Sequence, residues 1–222
     1  MGRFLYETHC HTSEVSICGK VAAKDVVENY IKAGYSGIVI TDHFNRHTFH
    51  SRPKDMAEYY MAGYRAAKAA AGDRLTVILG MELTFYENDN DYLVYGMTED
   101  FIRQYPNMME LGLERFCALA HENGMVIFQA HPFRNRMTVM PPGLLDGVEV
   151  YNGNPRHDSR NDIARMWAEK YEKKMSSGSD YHQSEDLARG GIAVKEPLFD
   201  AADIVRVLMN GEAELIEATQ NN

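Results

Sequence analysis

Short apolar runs that each stop at an imidazole or a carboxylate constrain this chain more than any other feature. Gly37-Ile38-Val39-Ile40-Thr41 stops at Asp42-His43, and Met125-Val126-Ile127-Phe128-Gln129-Ala130 stops at His131. Residues 75–81 run into Glu82, and residues 4–8 run into His9-Cys10-His11. Runs of this length, rich in Val and Ile, predict strands buried on both faces, as in parallel sheets. Residues 92–96, 147–152 and 190–194 read as further strands, Asp180 and His182 as lying at the end of another, and 213–218 as a peripheral one. Between them, 22–33, 55–71, 109–123, 161–173 and 201–210 read as helices. Strands alternating with helices predict βα units around a parallel sheet. Such folds place their chemistry at the carboxyl ends of the strands. Only a closed or nearly closed barrel brings so many strand ends to one face, so an α/β barrel is expected. Ile38, Val39, Ile78, Ile127 and Val148 are its expected core.

The side chains at those ends are metal-ligating types. His9 and His11 lie two apart on a strand, so both reach one point while Cys10 faces away. Two imidazoles aimed at one point are half of a metal site. Asp180 and His182 repeat that spacing, and His43 and His131 each follow a buried strand. Glu82 sits near the end of an apolar run, where a carboxylate is costly unless paired or metal-bound, which marks it as a bridging ligand. Asp42 is expected to orient an imidazole. Glu14 reads as a loop ligand, a solvated loop acid or a helix-capping acid, and Asp91 either as a ligand or as turn chemistry. Arg134 either meets an anionic group or lies on the surface. Glu149 and Asn152 either support the site or satisfy backbone groups. His47, His50, His121 and His157 read as surface residues. Mixed imidazole and carboxylate ligands suit zinc, manganese or iron better than magnesium. A carboxylate bridge holds two cations about 3.5–4 Å apart, lowers the pKa of a shared water and clamps both oxygens of an in-line displacement.

Composition narrows the function. At 222 residues, 45% hydrophobic and 25% charged, with no linker and no repeat, residues 1–222 read as one domain. A net charge of −9 disfavours a non-specific nucleic-acid surface. No apolar run approaches a membrane span. The first residues run directly into the His9 strand, so no removable leader is expected. Cys10, Cys18 and Cys117 make an odd count without paired spacing, which fits reduced thiols in a cytoplasm. No Gly-rich phosphate loop or dinucleotide fingerprint is present, which argues against a nucleotide-powered enzyme or a dehydrogenase.

His9-x-His11, Thr41-Asp42-His43, Gly80-Met81-Glu82, Ala130-His131-Pro132 and Gly178-Ser179-Asp180-x-His182 together resemble the motifs of the PHP (polymerase and histidinol phosphatase) family, in the same order and across nearly the whole chain. The resemblance implies a distorted TIM-like (β/α)7 barrel carrying two or three divalent metal ions and hydrolysing phosphate esters. It implies that His9, His11, Glu82 and Asp180 hold one metal, Glu82 and His131 a second, and His43 with His182 a third. Glu82, Asp180, His182 and Arg134 are the residues expected at the reaction. The chain departs from the family in two places. Where many members carry an acid or histidine in a Ser-Asp-Gly turn, it reads Ser16-Ile17-Cys18-Gly19, with Glu14 as the nearest substitute. Where many carry a histidine opening the strand after the bridging glutamate, it has Asp91. The expected activity is hydrolysis of a small phosphorylated molecule, with a metal-bridging hydroxide as nucleophile. The alternatives are an exonuclease or oligonucleotide phosphoesterase, a histidinol-phosphate phosphatase, or a non-catalytic metal-bound domain.

Overall fold

The computed structural model describes residues 3–50 and 56–218. Asp55, where the second helix was expected to begin, lies outside them. In chain order the elements are β1 (Phe4–Cys10), α1 (Ala23–Lys32), β2 (Gly37–Ile40), β3 (His43–Phe44), α2 (Met56–Ala71), β4 (Thr76–Leu79), β5 (Met81–Thr84) and β6 (Asp91–Tyr95). There follow α3 (Glu99–Gln104), α4 (Gly112–Glu122), β7 (Val126–Gln129), β8 (Gly147–Asn152), α5 (Asn161–Lys170), β9 (Lys174–Gly178), β10 (Gly190–Val194), α6 (Ala201–Asn210) and β11 (Glu214–Glu217). The fold is mixed α/β.

The strands form two sheets, ordered β11-β10-β1-β2-β4 and β3-β5-β6-β7-β8-β9. The ladders of β1 with β2, β2 with β4, β3 with β5, β7 with β8 and β8 with β9 are parallel. The expectation of a parallel sheet fails at β6 and β10, which run against their neighbours. For β6 the reason is local. Only residues 85–90 separate it from β5, too few for a parallel crossover.

Two chain segments pass from the first sheet into the second, and the site forms at that corner. β2 and β3 are separated by Thr41-Asp42, and β4 and β5 by Gly80 alone. A Cβ at Gly80 would lie 2.7 Å from Val39 Cγ1, so the crossing needs a glycine. The Tyr60 hydroxyl on α2 is shared between Gly80 O at 2.8 Å and Asp42 O at 3.1 Å, which ties the helix beneath the corner. On the other side, Tyr181 N donates to His9 O (3.1 Å) and His11 N donates to Tyr181 O (2.9 Å). These bonds join the end of β1 to the chain just past β9. No single ladder runs round all the described strands.

Alternation along the strands divides the core. Val39, Ile78, Leu93 and Phe128 pack with Tyr6 and Tyr95 in one cluster, while Ile38, Ile127 and Val148 pack with residues of α1, α2, α4 and α5 in another. All five expected core residues are buried. Each such side chain contributes about 1.5–3 kcal/mol relative to leaving it in water. The apolar layers hold the strand ends in place and leave the ends themselves to polar groups. Among the described residues no helix is long and apolar enough to cross a membrane.

Candidate metal centre

Glu82 is the hub of the site. It lies on β5 directly opposite His43 on β3, and it is 1% exposed. Its Oε1 is 3.2 Å from His131 Nε2 and 3.3 Å from His9 Nε2. Its Oε2 is 2.8 Å from His43 Nδ1 and 3.2 Å from His11 Nε2. Asp180 closes the opposite side, with Oδ1 at 3.5 Å from His9 Nε2, 3.6 Å from His11 Nε2 and 3.3 Å from His182 Nδ1. His9, His11 and Asp180 offer three donor atoms within 4.8 Å of one another; so do His43, Glu82 and Asp91, and so do His11, His43 and His182.

Most of these contacts are not hydrogen bonds. His9 Nε2, His11 Nε2, His43 Nδ1, His131 Nδ1 and Glu82 Oε2 are buried without a hydrogen-bond partner. Buried polar atoms are normally satisfied, so the three orphaned nitrogens of His9, His11 and His43 converging on one carboxylate require an explanation. A cation supplies it, because lone pairs aimed at a common centre do not point at one another. The tautomers agree. His9 Nδ1 lies 2.8 Å from Glu149 Oε1, an oxygen that only accepts, so Nδ1 carries the proton and Nε2 the free lone pair. His11 Nδ1 faces Ser16 Oγ at 3.1 Å, and that hydroxyl donates to Asp42 Oδ1 at 2.7 Å. Asp42 therefore orients His11 through Ser16, leaving His11 Nε2 as the donor atom. His182 Nδ1 donates to the Asp180 carbonyl at 2.9 Å, which likewise frees its Nε2.

The acids and imidazoles of the centre shift one another's protonation. Burial opposes ionisation of Glu82, but the charges of His43 and His9 hold its carboxyl well below the usual range. Asp180 behaves alike: burial raises it, and His9, His11, His182 and Arg134 bring it well below its ordinary value. Conversely, burial pushes His9 down, and Glu149, Glu82 and Asp180 lift it well above. Metal ions would displace these imidazole protons, so binding is expected to release protons. Asp91 differs: burial and the Glu82 charge raise its carboxyl. Two candidate ligands, His131 (φ 29°) and Asp180 (φ 52°), occupy the left-handed backbone region. Such conformations cluster at functional sites.

The other sequence candidates fall into place or out of it. Asp91 reaches the centre, its Oδ2 at 4.0 Å from His131 Nε2, while its Oδ1 accepts from Thr84 Oγ1 at 2.6 Å. Glu14 does not reach it. Both its oxygens accept from Ala23 N at 3.0 Å, so it caps α1, and the expectation of a metal ligand is corrected in favour of the capping reading. Arg134 is a site residue, donating from Nη2 to Asp180 Oδ2 (2.8 Å) and Asn152 Oδ1 (2.8 Å). Glu149 supports the site twice, holding His9 and accepting from His131 N at 3.0 Å. His121 pairs with Asp146 on the surface, and His47 and His50 are exposed. His157 is exposed but lines the site's cavity.

Three contributors escaped the sequence reading. Glu7 is buried and accepts from the amides of Thr8, His9 and Ser179, each at 2.9 Å, which fixes β1 against the Asp180 turn. A carboxylate inside an apolar strand was the available signal. Ser16 had none, because serines are common in loops. Cys18 stands at the rim; burial raises its thiol, but hydrogen bonds from His182 and His43 bring it to about 5. The cavity at the centre measures about 380 Å³, and Lys20, Arg134, Arg156 and Gln183 are among the residues that line it.

Imidazoles and carboxylates gathered round one buried carboxylate are a donor set that could hold metal ions. The chain belongs to the PHP domain family, whose model matches residues 7–195. Among solved structures it is similar to a two-domain protein containing a predicted PHP-like metal-dependent phosphoesterase from Bacteroides vulgatus, at 18% identity and TM-score 0.72, covering 98% of this chain and 65% of that one. It is also similar to PsfC from Pseudomonas syringae, at 16% identity and TM-score 0.71, covering 99% and 93% of the two chains. A third is the lesion-specific endonuclease EndoQ from Pyrococcus furiosus, at 19% identity and TM-score 0.66, covering 96% and 58%. No curated protein matches in sequence.

Proposed function

We propose that the protein is a metal-dependent phosphoesterase acting on a small phosphorylated molecule. The observation that carries this reading is the convergence of the orphaned donor atoms of His9, His11 and His43 on the Glu82 carboxylate, which His131 also meets through Nε2. His9, His11, Glu82 and Asp180 would hold one cation, Glu82 with His131 and Asp91 a second, and His43 with His182 a third. Zinc, manganese or iron suits this donor set. When bound, such ions activate water and polarise a phosphoryl oxygen. The architecture is read as a distorted seven-stranded barrel in one domain. In support, β2 continues as β3, β4 continues as β5, and the Tyr181 amide and carbonyl connect the β9 end to β1.

The protein's own residues have separable roles in this scheme. Glu149, Ser16 with Asp42, and the Asp180 carbonyl fix the imidazole tautomers. Arg134 holds Asp180 and brings positive charge to the cavity, where it meets the phosphoryl group. Lys20 lines the 380 Å³ cavity, as does Arg156, whose guanidinium is paired with Asp186, and this basic lining on an acidic chain favours a small anionic substrate. A second reading, an oligonucleotide substrate, is favoured by the neighbouring 630 Å³ cleft, which shares Asn154, Arg156 and His157 with the site and extends past Arg160 and Arg189. A panel of phosphomonoesters, phosphodiesters and short oligonucleotides, assayed with manganese and with zinc, separates the two. We expect turnover of small phosphate esters. Turnover of oligonucleotides alone supports the second reading, and no hydrolysis by metal-loaded protein refutes both.

A further inference from the structure

We propose that the substrate carries a second anionic group, a phosphate or a carboxylate, which Arg189 receives in the cleft beside the metal centre. The proposal rests on the phosphoesterase reading above and specifies its substrate class. The 630 Å³ cleft and the 380 Å³ cavity share Asn154, Arg156 and His157, so one small ligand can occupy both. Lys20 and Arg134 line the cavity, Arg160 and Arg189 the cleft, and Arg156 both. Three of these are already engaged. Arg134 pairs with Asp180 at 2.8 Å, and Arg156 with Asp186 at 2.9 Å. Arg160 donates to Phe133 O at 2.9 Å and to Asn135 Oδ1 at 2.6 Å. Among the described residues, Lys20 and Arg189 have no acidic partner. The cavity therefore keeps one uncommitted cation and the cleft another, which matches a ligand with an anionic group at each end.

The fold fixes Arg189 in that position. It is half-buried and directly precedes β10. Its N donates to Ser179 Oγ at 2.9 Å, and its carbonyl accepts from Ala218 N at 3.1 Å. Its Nε donates to Gly153 O at 2.8 Å. A Cβ at Gly153 would lie 2.8 Å from Arg189 Cβ and 2.9 Å from Arg189 O, so the close approach of the two segments needs a glycine. Gly153 N in turn donates to Gly178 O at 2.8 Å. Ser179 adjoins Asp180, and Gly153 lies between Asn152, which holds Arg134, and Asn154, which donates to the Asp180 carbonyl. The guanidinium is thus tied to the two segments that shape the metal centre. The bond at Nε leaves both Nη groups to donate to a carboxylate or phosphate, which the planar fork can meet with paired bonds. A donor already held in place loses little freedom on binding. Asp158 and Asp162 line the same cleft, so it is no continuous basic track for a nucleic-acid backbone. One uncommitted cation in a mixed lining fits a single second anion.

Calorimetry with phosphonates on metal-loaded protein tests the subsite without turnover, because ester hydrolysis does not cleave a carbon–phosphorus bond. Alkanediphosphonates of increasing chain length are compared with alkylphosphonates of the same lengths. At the length that spans both sites, the diphosphonate should bind the wild type about tenfold more tightly or better. Arg189→Met and Arg189→Gln should lose that preference. Arg189→Lys should keep part of it, since the charge remains and the fork does not. Arg206→Met, on α6 and outside both cavities, should bind every ligand as the wild type does. Carboxyalkylphosphonates in the same series tell a carboxylate-bearing substrate from one with two phosphates. Circular dichroism checks the fold of each variant. Diphosphonates that bind no more tightly than monophosphonates at any length, or a preference that persists in Arg189→Met or Arg189→Gln, overturn the second subsite and leave the phosphoesterase reading to the turnover panel. A preference that both variants abolish, in a protein that hydrolyses no phosphate ester, supports the subsite and overturns the phosphoesterase reading.

Discussion

Glu82→Gln is expected to give a folded protein with a depleted metal centre and a phosphoesterase rate lower by about a hundredfold or more. The substitution keeps the side-chain volume and removes the charge. Glu82 faces four imidazoles, two on each oxygen. In the proposed bridging role its negative charge would allow two cations to sit close together; without it they would repel at short range. One ion would then be held weakly, and the water activation that a bound pair would supply would be lost. The fold should persist, because Val39, Ile78, Leu93 and Phe128 form the core and Glu82 only caps its end. Metal content, circular dichroism and rate are measured on one preparation. A folded Glu82→Gln protein with full metal content and a near-normal rate refutes the bridge.

Asp180→Asn should have an effect of similar size for a different reason. Asparagine tolerates the left-handed backbone at this position, so the turn is preserved. The amide also keeps a carbonyl oxygen for Arg134. What is lost is the anionic oxygen that faces His9, His11 and His182 together. We expect metal affinity to fall by about a hundredfold or more and hydrolysis to fall with it. His121→Ala is the control. Its ring pairs with Asp146 on the surface, remote from the ligand set, and metal content and rate should both be unchanged. Loss of a metal equivalent in His121→Ala, or full metal retention in Asp180→Asn, contradicts the assignment.

Much of the candidate site was legible because strand periodicity is a local rule. His9 and His11 share a face by spacing alone, and Glu82, His43 and His131 are conspicuous where apolar runs end. The structure brings all of them together. Residues whose roles depend on loop placement were not legible. Glu14 could cap or ligate, and only the path of residues 12–21 decides, placing its oxygens on Ala23 N. Ser16 and Cys18 belong to that same loop, whose course is fixed by contacts to Asp42 and His182 far along the chain. Strand direction was misread at β6, where the short turn after β5 outweighs the βα alternation seen elsewhere. The corner at Gly80 was hidden for a related reason. A continuous apolar run gives no sign that its two halves pair in different sheets.

Elemental analysis of the purified wild-type chain, before and after reconstitution with zinc, manganese or iron, tests the central claim most directly. The donor geometry predicts about two or three transition-metal ions per chain, with the imidazoles losing their protons as the ions bind. A folded protein that carries no metal, and takes up none on reconstitution, would contradict it.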